Sequence, residues 1–317
     1  MYAKYFVLFA ILFTGWILKR IKFIDDKMNK SINKLIVYFA YPCLIVHNIG
    51  TIEMTSAIIA DFFTTVVVCL VAFYVYGAVS YFYAKARHLP QSISNTAEMS
   101  MILPNDGFMG FPMALLFFGE KGMLLMLAHN AAMNFFTFTY GMAAFRRNKE
   151  RAPGEKRFSF RSITRALLKL LVNPNILALF IGFAISIPHL TLPGPVDEYL
   201  LYIGNISTPM AMIYIGSTLA NYKFTDIIRN TLAIEASIMK LIWIPLITIA
   251  LVYFLPVSGL IKSIVVLGGA FPTAATASML AEQEDQAPGT ASQILFLSTV
   301  ASIASIPLMV NVLEALF

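Results

Sequence analysis

Long apolar runs without charged residues dominate this sequence and restrict it to folds that use lipid as their solvent. A membrane-spanning helix needs about 20 mostly apolar residues, and the chain supplies such runs along its whole length. Only 13% of its 317 residues are charged and 58% are hydrophobic, whereas soluble domains contain about 25% charged residues. The sequence therefore predicts an all-α membrane protein without a sizeable soluble domain.

The boundaries of these runs predict ten transmembrane helices, which we call spans one to ten. Their ranges are 2–18, 35–52, 62–84, 92–119, 122–145, 168–188, 197–220, 230–254, 260–281 and 287–316. The first span is short, so the side chain of Lys4 would have to extend towards the membrane surface.

The basic residues indicate how the spans are oriented. If the N-terminus is outside, the loops that face the cytoplasm contain nineteen of the 23 Lys and Arg residues. Because cytoplasmic loops carry an excess of Lys and Arg, we predict a multi-pass protein of the cell (plasma or inner) membrane with both termini outside. The net charge of +6 then reflects topology, and we expect the lipid bilayer rather than nucleic acid as the partner.

A basic cytoplasmic loop at residues 146–166 divides the chain into halves, 1–145 and 167–317, of five spans each. Since five is odd, the second half enters the membrane from the opposite side, as in an inverted repeat. Mid-span prolines support this weakly. Pro42 and Pro209 are 167 residues apart, and Pro104 and Pro272 are 168 apart.

Two spans contain residues that interrupt helices. Residues 101–112 of span four read Met-Ile-Leu-Pro-Asn-Asp-Gly-Phe-Met-Gly-Phe-Pro, and residues 268–276 of span nine read Gly-Gly-Ala-Phe-Pro-Thr-Ala-Ala-Thr. Proline removes a helical hydrogen bond and glycine loosens the backbone, so both stretches should be unwound. Broken helices in matching positions of two halves indicate a transporter site, where the N-termini of half-helices favour an anion. Proline kinks used only for packing are the alternative.

Several short motifs carry a resemblance to a known family. They are Asn-Asp-Gly-Phe-Met-Gly-Phe-Pro at 105–112, Leu-Phe-Phe-Gly at 116–119, Thr-Pro-Met-Ala-Met-Ile-Tyr-Ile-Gly-Ser-Thr-Leu-Ala at 208–220, Phe-Pro-Thr-Ala-Ala-Thr at 271–276, Ala-Glu-Gln at 281–283 and Leu-Ser-Thr at 297–299. In this order they resemble the auxin efflux carrier family, whose signature is Asn-Thr-Gly-x-x-Gly-x-Pro. The family is distantly similar to bile acid/sodium symporters.

The resemblance implies ten transmembrane helices in two inverted five-helix repeats, with broken crossover helices 4 and 9. It implies a scaffold of spans 1, 2, 6 and 7 and a transport domain of spans 3–5 and 8–10. Members are secondary transporters of small organic anions such as carboxylates. They use an elevator-type alternating-access mechanism and often form homodimers. No cofactor is expected beyond a coupling ion, H⁺ or Na⁺.

The candidate substrate-binding residues lie in and beside the two breaks. They are Asn105, Gly107, Pro112, Asn134, Pro272, Thr273 and Thr276. The resemblance places the family's crossover asparagine on Asn105 and its crossover prolines on Pro112 and Pro272. Asn134 follows Asn130 by four residues on one face of span five, where the two amides contact either substrate and crossover backbone or a neighbouring helix.

Asp106 departs from the family signature, which has a small hydroxyl residue there. A carboxylate repels an anion unless it is protonated or paired with a cation, so Asp106 favours proton or sodium coupling. It is also suited to cap the second half of span four, and the two roles are compatible.

Other polar groups predicted within or near the bilayer are candidates for coupling. Lys240 either neutralises a substrate carboxylate or Asp106, tethers the crossover in place of a bound cation, or forms an ion pair with Glu235 or another acid that holds helices together. Glu98 is either a coupling carboxylate or a solvated group at the cytoplasmic mouth. Glu282 and Gln283 either reach a cation site or belong to a solvated turn.

The sequence lacks the His-Glu-x-x-His, Gly-x-Ser-x-Gly and Walker motifs. It also has no cysteine or histidine cluster suited to a metal. We therefore expect neither an enzyme nor an ATP-driven pump. A non-transporting receptor or sensor on the same scaffold is the alternative to a carrier.

Overall fold

The computed structural model describes residues 2–147, 168, 171–222 and 230–317. Numbered in chain order, the helices of these residues are α1 Tyr2–Arg20, α2 Asp26–Thr51, α3 Ser56–Ala86, α4 Gln91–Ile102, α5 Asp106–Phe145, α6 Pro174–Ser186, α7 Gly194–Asn205, α8 Ser207–Leu219, α9 Thr231–Val252, α10 Gly259–Ala270, α11 Ala275–Gln283 and α12 Pro288–Leu316. Most of the predicted basic loop 146–166 lies outside the described residues, together with Lys223 and Arg229.

The helices confirm an all-α membrane protein. Within the described ranges, α2, α3, α5, α9 and α12 are long and apolar enough to cross a membrane, and α6 and α10 are shorter apolar helices. Each predicted span overlaps one or two helices. Spans four and five meet inside α5 at Gly119, whose φ of 67° and ψ of −160° interrupt the helix. The count of ten crossings and the inverted repeat stay predictions.

The distribution of side chains is the reverse of that in a soluble protein. Large apolar side chains remain exposed, and Phe254 is 88% accessible. Glu98, Asp106 and Lys240 are instead fully buried. Water favours polar groups outside, whereas hydrocarbon favours apolar groups outside and partnered polar groups inside. This arrangement fits lipid as the surrounding solvent.

The chain forms two compact units. The first contains the described residues within Met1–Phe63, Gly107–Leu127 and Lys169–Tyr222. The second contains those within Thr64–Asp106, Ala128–Leu168 and Lys223–Phe317. Each unit therefore combines helices from both halves of the sequence. The predicted assignment of spans to scaffold and transport domain stays a prediction.

Close packing of helix backbones holds the first unit together. Helix α1 packs along α8, and the contact depends on Gly15 and Gly216. A Cβ added to Gly216 would lie 1.8 Å from the carbonyl oxygen of Leu12, and one added to Gly15 would lie 2.3 Å from that of Ile213. Small residues permit such close approach between membrane helices.

Wide π-helical turns accommodate prolines inside three helices. The turns Ile36–Ala40, Asp106–Gly110 and Met239–Trp243 each end two residues before a proline, namely Pro42, Pro112 and Pro245. A proline ring clashes with the carbonyl four residues earlier in a regular α-helix, and a wider turn relieves that clash. These prolines therefore bend helices without ending them.

Candidate functional site

Both predicted breaks are present, and each begins in the second unit at the residue before a proline. Helix α4 ends at Ile102 and α10 ends at Ala270, each two residues before a proline. The intervening residues are extended, with φ and ψ of −74° and 109° at Leu103 and of −67° and 149° at Phe271. Steric conflict with the following proline ring disfavours helical geometry at such positions, which accounts for the extended conformation of Leu103 and Phe271.

The two extended segments pair with each other. Pro104 and Thr273 form an antiparallel bridge. The amide of Asn105 donates to the carbonyl of Pro272 at 2.8 Å, and the amide of Ala274 donates to that of Leu103 at 3.0 Å. The pairing requires no N–H donor from Pro104 or Pro272, which have none. Unwound backbone at membrane depth must find partners in protein, and here each break supplies them to the other.

Side chains satisfy the carbonyls left free at the end of α4. The Thr273 hydroxyl donates to the carbonyl of Ser100 at 2.7 Å, and the Lys240 ammonium donates to that of Ile102 at 3.0 Å. The C-terminus of a helix carries partial negative charge that favours a cation. The fully buried Lys240 thus lies at a helix end suited to its charge.

Lys240 does not pair with Glu235, so that interpretation of Lys240 is wrong. The Glu235 carboxylate accepts a hydrogen bond from the Tyr83 hydroxyl at 2.5 Å and forms an ion pair with Arg87 at 2.9 Å. Both partners lie on or just after α3.

Asp106 forms a buried pair with a residue that the sequence predictions missed. Its Oδ2 lies 2.8 Å from Nδ1 of His129, and the two side chains are 0% and 1% exposed. Its Oδ1 has no hydrogen-bond partner among the described residues. His129 lies in predicted span five, so the rule that drew attention to Lys240, an ionisable group at bilayer depth, would have found it.

The imidazole of His129 is held tightly. A Cβ built on Gly268 would come within 2.4 Å of its Nε2, and the ring centroid of Phe73 lies 5.1 Å from that of the imidazole. Gly268 belongs to the last turn of α10, so His129 lies beside the end of the second broken helix.

The crossing brings together some of the predicted substrate residues. Asn105, Pro272 and Thr273 are buried within it. Thr276 lies exposed in the first turn of α11, which begins at Ala275 without a side-chain cap. The first-turn amides of α11 are therefore not occupied by a capping side chain.

Of the other predicted substrate residues, Asn134 bonds within α5, and Gly107 and Pro112 belong to the first unit. Asn134 donates to the carbonyl and the side-chain oxygen of Asn130 at 2.9 and 3.0 Å. Gly107 has open space where a Cβ would stand, and Pro112 is buried within α5.

The interpretation of Glu98 as a solvated residue is wrong. Its carboxylate is 0% exposed, accepts a hydrogen bond from the Tyr140 hydroxyl at 2.6 Å and accepts two from the Arg147 guanidinium. Arg147 lies two residues beyond the end of α5. This ion pair therefore connects the end of α5 to the middle of α4. The sequence could not reveal it because the partners are 49 residues apart.

The acidic turn after α11 is only partly solvated. Glu282 and Gln283 are exposed, as the solvated-turn alternative expects, and no contact with a cation site is visible for them among the described residues. Glu284 is buried, and its carboxylate accepts two hydrogen bonds from Arg146, at 2.6 and 2.8 Å. The coupling roles assigned to Glu282 and Gln283 stay predictions.

Comparison with known proteins places this geometry in context. A family model described as "Membrane transport protein" matches residues 1–310. The chain is 24% identical to an uncharacterised transporter of Methanothermobacter thermautotrophicus, over 94% of each chain. It is 23% identical to one of Methanocaldococcus jannaschii, over 95% of each. It is also 25% identical to a protein of Rhizobium meliloti named "Putative malonate transporter", over 94% of this chain and 91% of the relative.

Proposed function

We propose, from the fact that this chain belongs to the membrane transport protein family, that it moves a small organic anion across the membrane as a secondary transporter. The match also confirms the family that the motifs at both breaks indicate. The apolar helices described above agree with membership of a family of membrane transport proteins.

The crossing of the two broken helices is the observation that carries this proposal. At the crossing, α11 begins without a side-chain cap, and its N-terminus carries partial positive charge that suits a carboxylate. Asn105 lies on the facing break and is 8% exposed, and the buried Lys240 adds a positive charge nearby. Amide donors, a side-chain amide and a cation together favour a carboxylate ligand.

The division into two compact units supports an elevator-type motion. In such a motion the second unit, which contains the crossing, would move as one body and carry the anion with it. The hydrogen bonds between the two breaks support this because they tie both half-helix ends into a single unit.

Malonate is the first anion to test, since the Rhizobium meliloti relative is named for it. Proteoliposomes that contain the purified protein should take up labelled malonate or a similar small carboxylate down an imposed gradient. Uptake of none of these carboxylates, with binding intact, would overturn the carrier proposal and favour a receptor or sensor.

Asn105→Ala tests the site itself. The substitution removes the side-chain amide at the crossing but keeps the backbone bond to Pro272, so we expect folded protein that loses malonate binding and uptake. Asn205→Ala, at an exposed position at the end of α7, is the matched control and should transport normally. Equal uptake by the two variants would remove Asn105 from the site.

A further inference from the structure

We propose that Asp106 and His129 together bind one exchangeable proton, and that this proton is taken up with the organic anion. The inference rests on the proposed function and names the coupling ion and the residues that hold it. It assigns to His129 a role that the sequence motifs do not suggest.

The burial and the geometry of the Asp106–His129 pair suit the binding of a proton. Both side chains are almost completely inaccessible, and Oδ2 of Asp106 and Nδ1 of His129 are 2.8 Å apart. The remaining carboxylate oxygen, Oδ1, has no hydrogen-bond partner among the described residues. A buried carboxylate oxygen without a partner is costly, so an ionised Asp106 depends on positive charge close by, which a protonated His129 supplies.

Each member of the pair lies beside the end of a helix. Asp106 is the first residue of α5, where the partial positive charge of the helix favours a carboxylate. The His129 ring packs against Gly268 in the last turn of α10, where the partial negative charge favours an imidazolium. The fold therefore stabilises an ion pair at this point when a proton is available.

Within the described part of the chain, three other titratable groups lie near the pair. Cys69 and Tyr76 on α3 are fully buried and lie within electrostatic reach of Asp106, as does Lys240 on α9. The Tyr76 hydroxyl is hydrogen-bonded to Thr248 at 2.6 Å. With Lys240 charged and Asp106 ionised, these two charges balance, because the thiol and the phenol are neutral.

The proton then sets the net charge of the cluster. With Asp106 ionised, Nδ1 of His129 must carry the hydrogen that it donates to Oδ2. An added proton binds Nε2 and converts the imidazole to imidazolium, and its loss restores the neutral ring. One proton therefore changes the cluster from neutral to a single positive charge, which attracts an anion strongly in a low-dielectric interior.

A sodium ion is a poorer occupant of this place. Hard metal cations bind several oxygen ligands together, whereas Oδ2 of Asp106 is already taken by His129. Lys240 supplies a positive charge within electrostatic reach of the same carboxylate, and it would repel a second cation. A proton needs one lone pair, that of Nε2, rather than several oxygen ligands.

Proton uptake linked to anion binding tests the inference directly. Malonate is added to purified protein in a weakly buffered solution containing a pH dye, from about pH 5 to about pH 9, the range that includes histidine titration. We expect wild-type protein to take up as much as about one proton per malonate bound. Over the pH range in which one proton is taken up with each malonate, the Kd for malonate should rise about tenfold per pH unit.

Two variants and one control separate a proton-binding role from a structural one. The variants Asp106→Asn and His129→Gln should bind malonate without taking up the linked proton. Their Kd should lose the pH dependence that the pair causes in the wild type. His88→Asn is the control, because His88 is exposed with a φ of 49° that asparagine tolerates. It should behave as wild type. Protonation of malonate itself affects every variant equally and cancels in the comparison.

The outcomes distinguish this inference from the proposed function. Malonate binding without proton uptake in the wild type, or with proton uptake kept in both variants, would overturn the proton pair and leave the carrier intact. Binding that requires sodium and ignores pH would do the same. Failure of every tested carboxylate to bind at any pH would remove both proposals. If both variants fail to fold, the wild-type stoichiometry alone decides.

Discussion

At the scale of single residues, Gly268 determines how closely His129 approaches the second broken helix. A methyl group at position 268 would lie 2.4 Å from Nε2 of the imidazole and 2.6 Å from two of its carbons. The ring is enclosed by Phe73 and bonded to Asp106. It therefore has little room to move aside.

Gly268→Ala should consequently destabilise the protein. Overpacking of this kind costs about 1–3 kcal/mol, and the added methyl group would separate His129 from Asp106. Thermal unfolding in detergent, followed by tryptophan fluorescence, measures the change as a lower Tm.

Gly289→Ala provides the control for this prediction. Gly289 lies in the first turn of α12, and a Cβ there meets no atom within 4 Å. Alanine is favoured over glycine in helices by about 1 kcal/mol, so the control should match or exceed the wild-type Tm. A Gly268→Ala variant as stable as this control would show that the His129 ring can shift.

Residue-scale predictions succeed where one property of the sequence decides the outcome. Pro104 and Pro272 lie where the sequence predicts the breaks, because each ring disfavours helical geometry at the residue before it. The partners of buried charges depend on distant residues instead. Glu235 could not be assigned to Arg87, nor Glu98 to Arg147, from spacing alone, since both bonds form only after helices from different parts of the chain have packed.

At the scale of helices, two successive arginines anchor the end of α5 to both broken helices. Arg146 pairs with Glu284, just beyond α11, and Arg147 pairs with Glu98 on α4. The Arg147 guanidinium also lies over the Tyr81 ring, 4.7 Å from its centroid. These contacts fix one end of the crossing helices by paired charges rather than by apolar packing.

Glu98→Gln should weaken this anchor. The amide keeps the shape of the carboxylate but turns a donor towards Arg147 and removes the charge that the guanidinium faces. Loss of a buried, charge-assisted interaction of this kind costs about 1–3 kcal/mol, which we expect to appear as a lower Tm in detergent.

Glu282→Gln is the matched control for the Glu98 prediction, because Glu282 is an exposed carboxylate at the end of α11. Its Tm should stay near that of wild type, as exposed charges contribute little. The anchor would be refuted by equal unfolding temperatures for the two variants.

The π-helical turns mark another limit of prediction at this scale. Prolines at 42, 112 and 245 predict distortion of their helices. Whether the helix ends, kinks or widens depends on what packs against it, and the sequence around each proline does not contain that information. Pro104 ends a helix while Pro112 continues one, although both lie in the same short segment.

At the scale of the whole molecule, the arrangement of basic residues predicts which side of the membrane each loop faces. Lys27 lies in the basic loop before predicted span two, and Lys121 follows span four. Both positions are exposed, and the native Cys43 and Cys69 are buried. Single cysteines introduced at these positions should therefore report orientation with little labelling of the native cysteines.

Lys27→Cys should react with a membrane-impermeant thiol reagent only after the cells are opened, and Lys121→Cys should react in intact cells. The parent protein is the control for labelling of the native cysteines. The reverse pattern would invert the proposed orientation, and labelling of both from outside would contradict the predicted span count.

The sequence predicts two halves, whereas the structure forms two units that each draw on both halves. Apolar runs and loop charges are local properties, so they reveal how many times the chain can cross a membrane. Which helices pack together is decided by side-chain shape, for example at Gly15 and Gly216, and a single sequence does not express such complementarity.

The antiparallel bridge between the two breaks has a consequence for how this fold can change over evolution. The crossing is secured by amides and carbonyls of residues 103–105 and 272–274, and every amino acid except proline brings the same amide and carbonyl to those bonds. The pairing of the two breaks therefore does not depend on the identity of the exposed side chains beside it, such as that of Thr276. New cargo preferences can arise there by single substitutions while the architecture that carries them is inherited unchanged.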